Sequence, residues 1–320
     1  MMKNFRYFFL IFLLSVAIFL SGTTVLAEGV FDLESSANPL VRVLLAKTNA
    51  SAVFSASSTI SVSAGAVEYL TLAPSATITL KYAGGRYEVK SGETFFATRD
   101  FIRLVPAAGG VITVASLKRP LSGHGSRSYN QYRGTIEYRY SPKNKTPYII
   151  NELPLEDYLA GLTETAQSDP AEYVKAVVVA ARSYAYVNIG PRPPTAKNLF
   201  DLYATTQDQL YLGYESEQRL PGVIAAALDT FGEMVMYQDR PALALYFGQS
   251  RGQTKTWPST QRPRPWLKSV KTKYDSPRRA SGHGYGMSMH DARERARRDL
   301  WSYTDILTYY YASTTIERMY

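Results

Sequence analysis

The stretch TETAQSDPAEYVKAVVVAARSYAY, residues 163–186, decides how this chain is read. After Asp169-Pro170 it runs to Gly190-Pro191 without another glycine or proline, and Val174, Val177, Val178, Ala181 and Ala185 are spaced for a packed helix. Asp169 as N-cap, Pro170 at the first helical position and Glu172 three residues after the cap predict a helix over about 170–188. Lys175 and Arg182 are the exceptions in this apolar run. Seven residues apart on a helix, they differ by about 20° in azimuth and share one stripe. Burying either unpaired would cost several kcal/mol, so they must face solvent, a cleft or carboxylates. The plainest reading is an amphipathic helix with two snorkelling cations.

Working outward, PLEDYLAGL (154–162) reads as a short helix. YRGTIEYRYSP (132–142) and PYIINELP (147–154) alternate apolar and polar residues around the turn PKNK, which predicts a hairpin. The same alternation fills Val41 to Leu117, in runs such as VRVLLA, TISVSA and RYEVKS separated by Gly, Pro and Ser. Downstream, residues 192–201 read as a loop, and 223–250 as a helix followed by two strands around a turn at Gln238–Pro241. Residues 287–311 read as two helices, and the basic patches RPRPWLKSVKTK and RERARR as solvated faces. The expected class is α+β. A β-rich region over 28–120 precedes a mixed domain over 121–320.

Residues 1–27 are set apart. Lys3 and Arg6 precede the apolar run Phe8–Leu20, which ends in small residues up to Ala27. This is the pattern of a secretory signal peptide, or of an anchor if it stays uncleaved. The chain is expected outside the cytoplasmic membrane, touching the membrane only through an uncleaved segment of this kind. It contains no cysteine, which excludes disulfides, thiolate metal sites and lipoprotein anchoring. The formal charge is +9, or +7 without residues 1–27. For an exported protein this points to anionic envelope polymer, and no nucleic-acid-binding motif is present. His124, His283 and His290 are scattered, so neither a metal site nor another cofactor is expected.

The central stretch resembles the SpoIID/LytB family, whose recurrent core runs approximately lEdYL-G-vvpsEmp-x-x-wp-x-EALKAQAVAARTYA. Here the sequence is LEDYLAGLTETAQSDPAEYVKAVVVAARSYA. TTQDQLYLGY (205–214) is similar to the family's Gln-x-Tyr-x-Gly, SRGQT (250–254) to its Ser-Gly-Gly-x-Thr, PWLKSV (265–270) to its Pro-Tyr-Leu-x-Ser-Val, and GHGYGMS (282–288) to its Gly-His-Gly-x-Gly-Met-Ser. The matches cover about residues 130–320. The departures are two residues missing between Gly161 and Glu164, Gly248 in place of a serine, Met289 and Asp291 in place of Gln and Gly, and a stretch from Val270 to Gly282 that is much shorter than in many members.

The resemblance implies a SpoIID-like fold acting on peptidoglycan glycan strands as a lytic transglycosylase. Glu164 is then the catalytic residue, and Lys175, Arg182, Ser250 and His283 bind substrate. One carboxyl group suffices for this chemistry: it protonates the glycosidic oxygen and takes the proton of the muramic acid C6 hydroxyl, which attacks C1. Lys175 and Arg182 would clamp lactyl carboxylates of peptide-stripped strands, and His283 would donate a hydrogen bond to sugar or to the catalytic carboxylate. The alternative within the same family is a non-catalytic, glycan-binding enhancer of a cell-wall amidase. A third reading is a wall-binding module carried by the β-rich half.

Overall fold

The computed structural model describes residues 38–119, 128–190, 195 and 198–320. The expected signal segment and His124 lie outside them. Twelve strands come first: β1 Leu40–Lys47, β2 Ala52–Ala56, β3 Ile60–Ala64, β4 Val67–Leu72, β5 Ile78–Ala83, β6 Arg86–Ser91, β7 Thr94–Thr98, β8 Ile102–Pro106, β9 Ile112–Val114, β10 Gln131–Tyr132, β11 Thr135–Ser141 and β12 Thr146–Pro154. The elements α1 Leu155–Ala160, α2 Ala171–Asn188, β13 Leu202–Tyr203, α3 Tyr214–Arg219 and α4 Pro221–Asp229 follow. Last come β14 Glu233–Tyr237, β15 Arg240–Pro241, β16 Tyr246–Phe247, β17 Met287–Ser288, α5 Met289–Glu294, α6 Tyr303–Tyr310 and β18 Thr315–Arg318. The class is α+β, with the β-rich part N-terminal.

A seven-stranded sheet runs β13-β1-β12-β11-β8-β3-β4, and a six-stranded sheet runs β10-β9-β2-β5-β6-β7. Alternating positions such as Ile60, Val62 and Ala64 on β3, and Ala52, Phe54 and Ala56 on β2, are buried in one apolar cluster. This is what period-2 patterning dictates when each sheet has one face to hide. The expected hairpin is β11–β12, in register Tyr138↔Ile149, and β12 lies between β11 and β1. Both sheets therefore take strands from either side of residue 120: β1 pairs with β12, and β9 with β10.

Helix α2 packs against α1, α4, α6 and β14, so nearly its whole circumference is buried. Its start differs from the expectation. Pro170, with φ −58° and ψ 137°, is the N-cap, and the helix begins at Ala171. The Asp169 carboxylate turns back to accept the N–H of Ala166 at 2.8 Å, which closes the preceding loop rather than capping the helix. The turn between β14 and β15 places Gln238 and Asp239 at φ 49° and 59°, the left-handed pair that a two-residue hairpin turn requires. The C-terminal pair of helices is α5, continued by a π-helical turn over Arg295–Asp299, and then α6.

Candidate active site

Glu164 sits in the loop after α1, where it lines a cleft of about 450 Å³ together with Tyr184, Asp208, Gln209, Tyr246, Phe247 and His283. The loop is strapped to residues 210–212: the Thr163 N–H donates to Leu210 O at 2.9 Å, and Leu162 bridges Tyr211. The Leu210 N–H donates to Glu164 Oε1 at 2.6 Å. The stretch Gln209-Leu210-Tyr211-Leu212-Gly213 is thus the part that holds the carboxyl group in place. Gln209 is buried and joins three elements. It accepts from Tyr158 Oη at 2.8 Å, and its amide donates to Tyr246 Oη at 2.8 Å and to Ala181 O at 3.4 Å.

Burial raises the Glu164 carboxyl above the ordinary glutamate value, and the Leu210 hydrogen bond opposes the rise. Among the described residues no cation pairs with it. A carboxyl group held in this way stays protonated further toward neutrality than an exposed one, as a general acid requires. The hydroxyl of Tyr246 is also held in its neutral form, first by burial and then by the charge of Glu164. Because it accepts from Gln209, its own proton is left to donate into the cleft. The second carboxylate of the cleft, Asp208, is already engaged by Tyr184 Oη and by the Tyr203 N–H.

His283 reaches the same cleft, but not as expected. Its Nδ1 accepts the Tyr285 N–H at 3.0 Å, and a backbone hydrogen bond links the ring to Tyr246. The ring therefore offers the cleft a face rather than a free N–H. Desolvation lowers its pKa, the nearby Lys255 lowers it further, and the hydrogen bond to Tyr246 opposes both. The turn depends on its glycines. Gly286 has φ 76°, and a Cβ there would lie 1.9 Å from Leu245 O.

Three expected binding residues lie elsewhere. Arg182 is fully buried: Nε and Nη2 donate to the two oxygens of Glu156 at 2.6 and 2.7 Å, and Nη1 donates to Glu233 O at 3.1 Å. Its side chain ties α1 to α2 and β14, because a bidentate carboxylate is the partner that makes a guanidinium tolerable in a core. Lys175 pairs with Asp229 at 3.1 Å and Glu172 at 3.4 Å, and its pKa is raised chiefly by the hydrogen bond to Asp229. It lines a separate hollow with Thr165, Gln167 and Asp229, one that Glu164 does not enter. The shared stripe therefore does not exist as a binding surface. One cation meets a buried carboxylate and the other meets surface acids.

Ser250 is also structural. It is buried, shares a hydrogen bond with Thr272 Oγ1 at 2.6 Å, and donates its N–H to Asp275 at 2.8 Å. Asp275 in turn accepts from Ser288 Oγ at 2.7 Å and contacts His290 Nδ1 at 3.1 Å, which fastens the loop segments at Ser250 and Asp275 to β17 and α5. Ser250→Ala is expected to cost about 1–2 kcal/mol of stability by leaving Thr272 and the Gly252 N–H short of a partner. A denaturant titration measures this, and a binding defect without a stability change would contradict the assignment.

Of the cleft residues, sequence reading named Glu164 and His283 and missed Tyr184, Asp208, Gln209, Tyr246 and Phe247. The Gln-x-Tyr-x-Gly stretch was the available signal for Gln209. Tyr246 and Phe247 carried none beyond an apolar run.

Residues 143–237 match the family model described as stage II sporulation protein, SpoIID. An uncharacterized protein of Brachyspira hyodysenteriae is 34% identical over 120 residues, 37% of this chain and 30% of that protein. Stage II sporulation protein D of Bacillus amyloliquefaciens is 28% identical over 146 residues, 40% of this chain and 41% of that protein. The chain thus matches less than half the length of either relative. The matched region holds Glu164, α1, α2 and the Gln209–Gly213 strap, so the family model and the geometry of the cleft meet on the same residues. Over residues 143–237, then, the chain is similar to the SpoIID family of stage II sporulation proteins.

Proposed function

We propose that this protein is an exported lytic transglycosylase that cleaves peptidoglycan glycan strands with Glu164 as its single acid and base. The observation that carries the proposal is a partly buried glutamate in a cleft of sugar-sized volume, with a raised pKa, one backbone hydrogen bond and no cationic partner among the described residues. Glu164 delivers its proton to the glycosidic oxygen as the bond to C1 breaks. The carboxylate so formed then accepts the C6 hydroxyl proton as O6 bonds to C1. The product is a 1,6-anhydro ring and no water is consumed. Tyr246, kept neutral, is placed to donate a hydrogen bond in the cleft. A purely glycan-binding enhancer would have no use for a carboxyl group tuned in this way.

Mass spectra of peptide-free strands incubated with residues 28–320 test the reaction. Ends of 1,6-anhydromuramic acid are expected. Reducing ends alone would mean hydrolysis and would require a second carboxylate, for which Asp208 is the residue in the cleft.

The pH dependence follows from the raised pKa. Activity that needs protonated Glu164 falls as pH rises through that value, so the fall in kcat/KM is expected above the range of an exposed glutamate. Stability moves in the same direction. A raised folded-state pKa contributes stability fully below the unfolded value, and that contribution is lost as pH rises through the folded value. Melting curves of the wild type and Glu164→Gln should therefore diverge as pH rises above the ordinary glutamate range, with the variant gaining. A constant difference across that range would contradict the burial of this carboxyl group.

A further inference from the structure

Residues 251–300 hold thirteen Lys and Arg against four Asp and Glu, a net +9 equal to the formal charge of the whole chain. None of the four acids is exposed. Lys273 pairs with Asp299, and Arg297 and Arg298 with Glu294. Lys255, Lys268, Lys271, Arg278 and Arg279 are exposed and have no carboxylate partner among the described residues.

Part of this charge lies beside the cleft. The Lys255 N–H donates to Gly284 O at 2.7 Å and its Nζ to His283 O at 3.1 Å, so the Lys255 strand runs along the His283 wall. On its other side the strand is bonded to residues 267–271, with Gln253 opposite Lys271. Because Gln253 and Lys271 stand opposite one another, Lys271 is a diagonal neighbour of Lys255 across this pairing.

A row of rings follows the same path. Phe247 and His283 are 5.6 Å apart between centroids, and His283 stacks on Tyr285 at 5.8 Å and 18°. Tyr285 meets Trp257 edge-on at 5.2 Å. Cations border the row: Lys255 Nζ lies 5.7 Å from the Tyr285 ring, and the Arg264 guanidinium lies 4.3 Å from Trp257.

We infer that His283, Tyr285 and Trp257, bordered by Lys255 and Lys271, form a track that leads a linear, carboxylate-bearing polysaccharide into the Glu164 cleft. The inference rests on the reading of that cleft as a glycan site and specifies that its substrate is anionic. Aromatic faces carry negative charge density and attract the C–H faces of sugar rings. The ammonium groups select for carboxylates carried at intervals along the same strand. Each exposed ion pair is weak, but a row of them acts together on a polymer.

The test uses Glu164→Gln protein, so that strands remain intact, and measures binding by tryptophan fluorescence and calorimetry. The ligands are peptide-free peptidoglycan strands and neutral N-acetylglucosamine oligomers of matched length. The carboxylated strands are expected to bind tighter, and to lose that advantage at about 0.5 M salt, where the screening length is a few ångströms. Adding Lys255→Gln with Lys271→Gln should weaken binding of the carboxylated strands about tenfold and leave the neutral oligomers unchanged. Trp257→Leu should weaken both. Lys268→Gln with Arg278→Gln and Arg279→Gln, all at exposed positions, reports the charge effect without touching the His283 wall.

Equal affinity for the two ligand classes at every salt concentration would overturn the inference. So would charge variants that lose binding to anionic lipid vesicles while holding carboxylated strands as before, since the surface would then be a membrane face. Salt-dependent strand binding in a wild-type protein that leaves the strands uncleaved would support the track and remove the transglycosylase reading.

Discussion

Glu164→Gln is expected to reduce strand cleavage by about 10²–10⁴-fold, the range contributed by a positioned general acid, while the melting temperature at neutral pH stays level or rises. The two effects have one cause. The carboxyl group is partly buried with a single backbone donor, so its ionisation works against the fold even as its proton serves the reaction. Glutamine keeps the acceptor for Leu210 N–H and nearly the same volume, and loses only the transferable proton. Loss of function accompanied by gain of stability marks a residue kept for chemistry rather than for packing. Wild-type turnover by the variant would remove Glu164 from the mechanism. A large fall in melting temperature would instead make it a structural carboxylate.

Arg182→Met should be among the most destabilising single changes in the chain, at about 3–5 kcal/mol, because it leaves Glu156 buried beside an apolar group. For a chain of this size the loss corresponds to a fall of roughly 10 °C in melting temperature. Tyr320 Oη at 2.7 Å would remain on Glu156 Oε1, but a phenol does not neutralise a carboxylate. Arg182→Met combined with Glu156→Gln should recover part of the loss, since the uncompensated charge goes with the second change. Neither protein should discriminate against carboxylated strands relative to neutral ones. A selective loss of carboxylated ligand in Arg182→Met, at unchanged melting temperature, would restore the clamp that the buried geometry rules against.

The fate of the α2 cations shows where sequence reading stopped. Periodicity located the helix, the hairpin β11–β12 and the short helix α1 because each rests on local rules: apolar spacing, turn residues, and the exclusion of proline from helix interiors. The same spacing put Lys175 and Arg182 on one stripe without showing what that stripe meets. Arg182 meets Glu156, 26 residues earlier in the chain, and Lys175 meets Asp229 on α4. Ser250 likewise has partners brought in from residues 272 and 275. The helix start moved by one residue for a smaller reason: Asp169 had a competing donor in Ala166 N–H.

By itself, then, the sequence determined the element types, the α+β class and, through its ordered motifs, the resemblance to the SpoIID family, and it singled out Glu164 and His283. Those features depend on residue type and short-range spacing, which a linear pattern records. Only the tertiary structure decided that Glu164 faces a cleft with no paired cation among the described residues, that it accepts the Leu210 N–H, and that Gln209 and Tyr246 stand beside it. It also decided that the charges of α2 meet carboxylates of the fold while Lys255 is bonded to the backbone of His283 in the cleft wall. Pairing, burial and pKa are properties of neighbours in space, and here those neighbours come from segments dozens to more than a hundred residues apart.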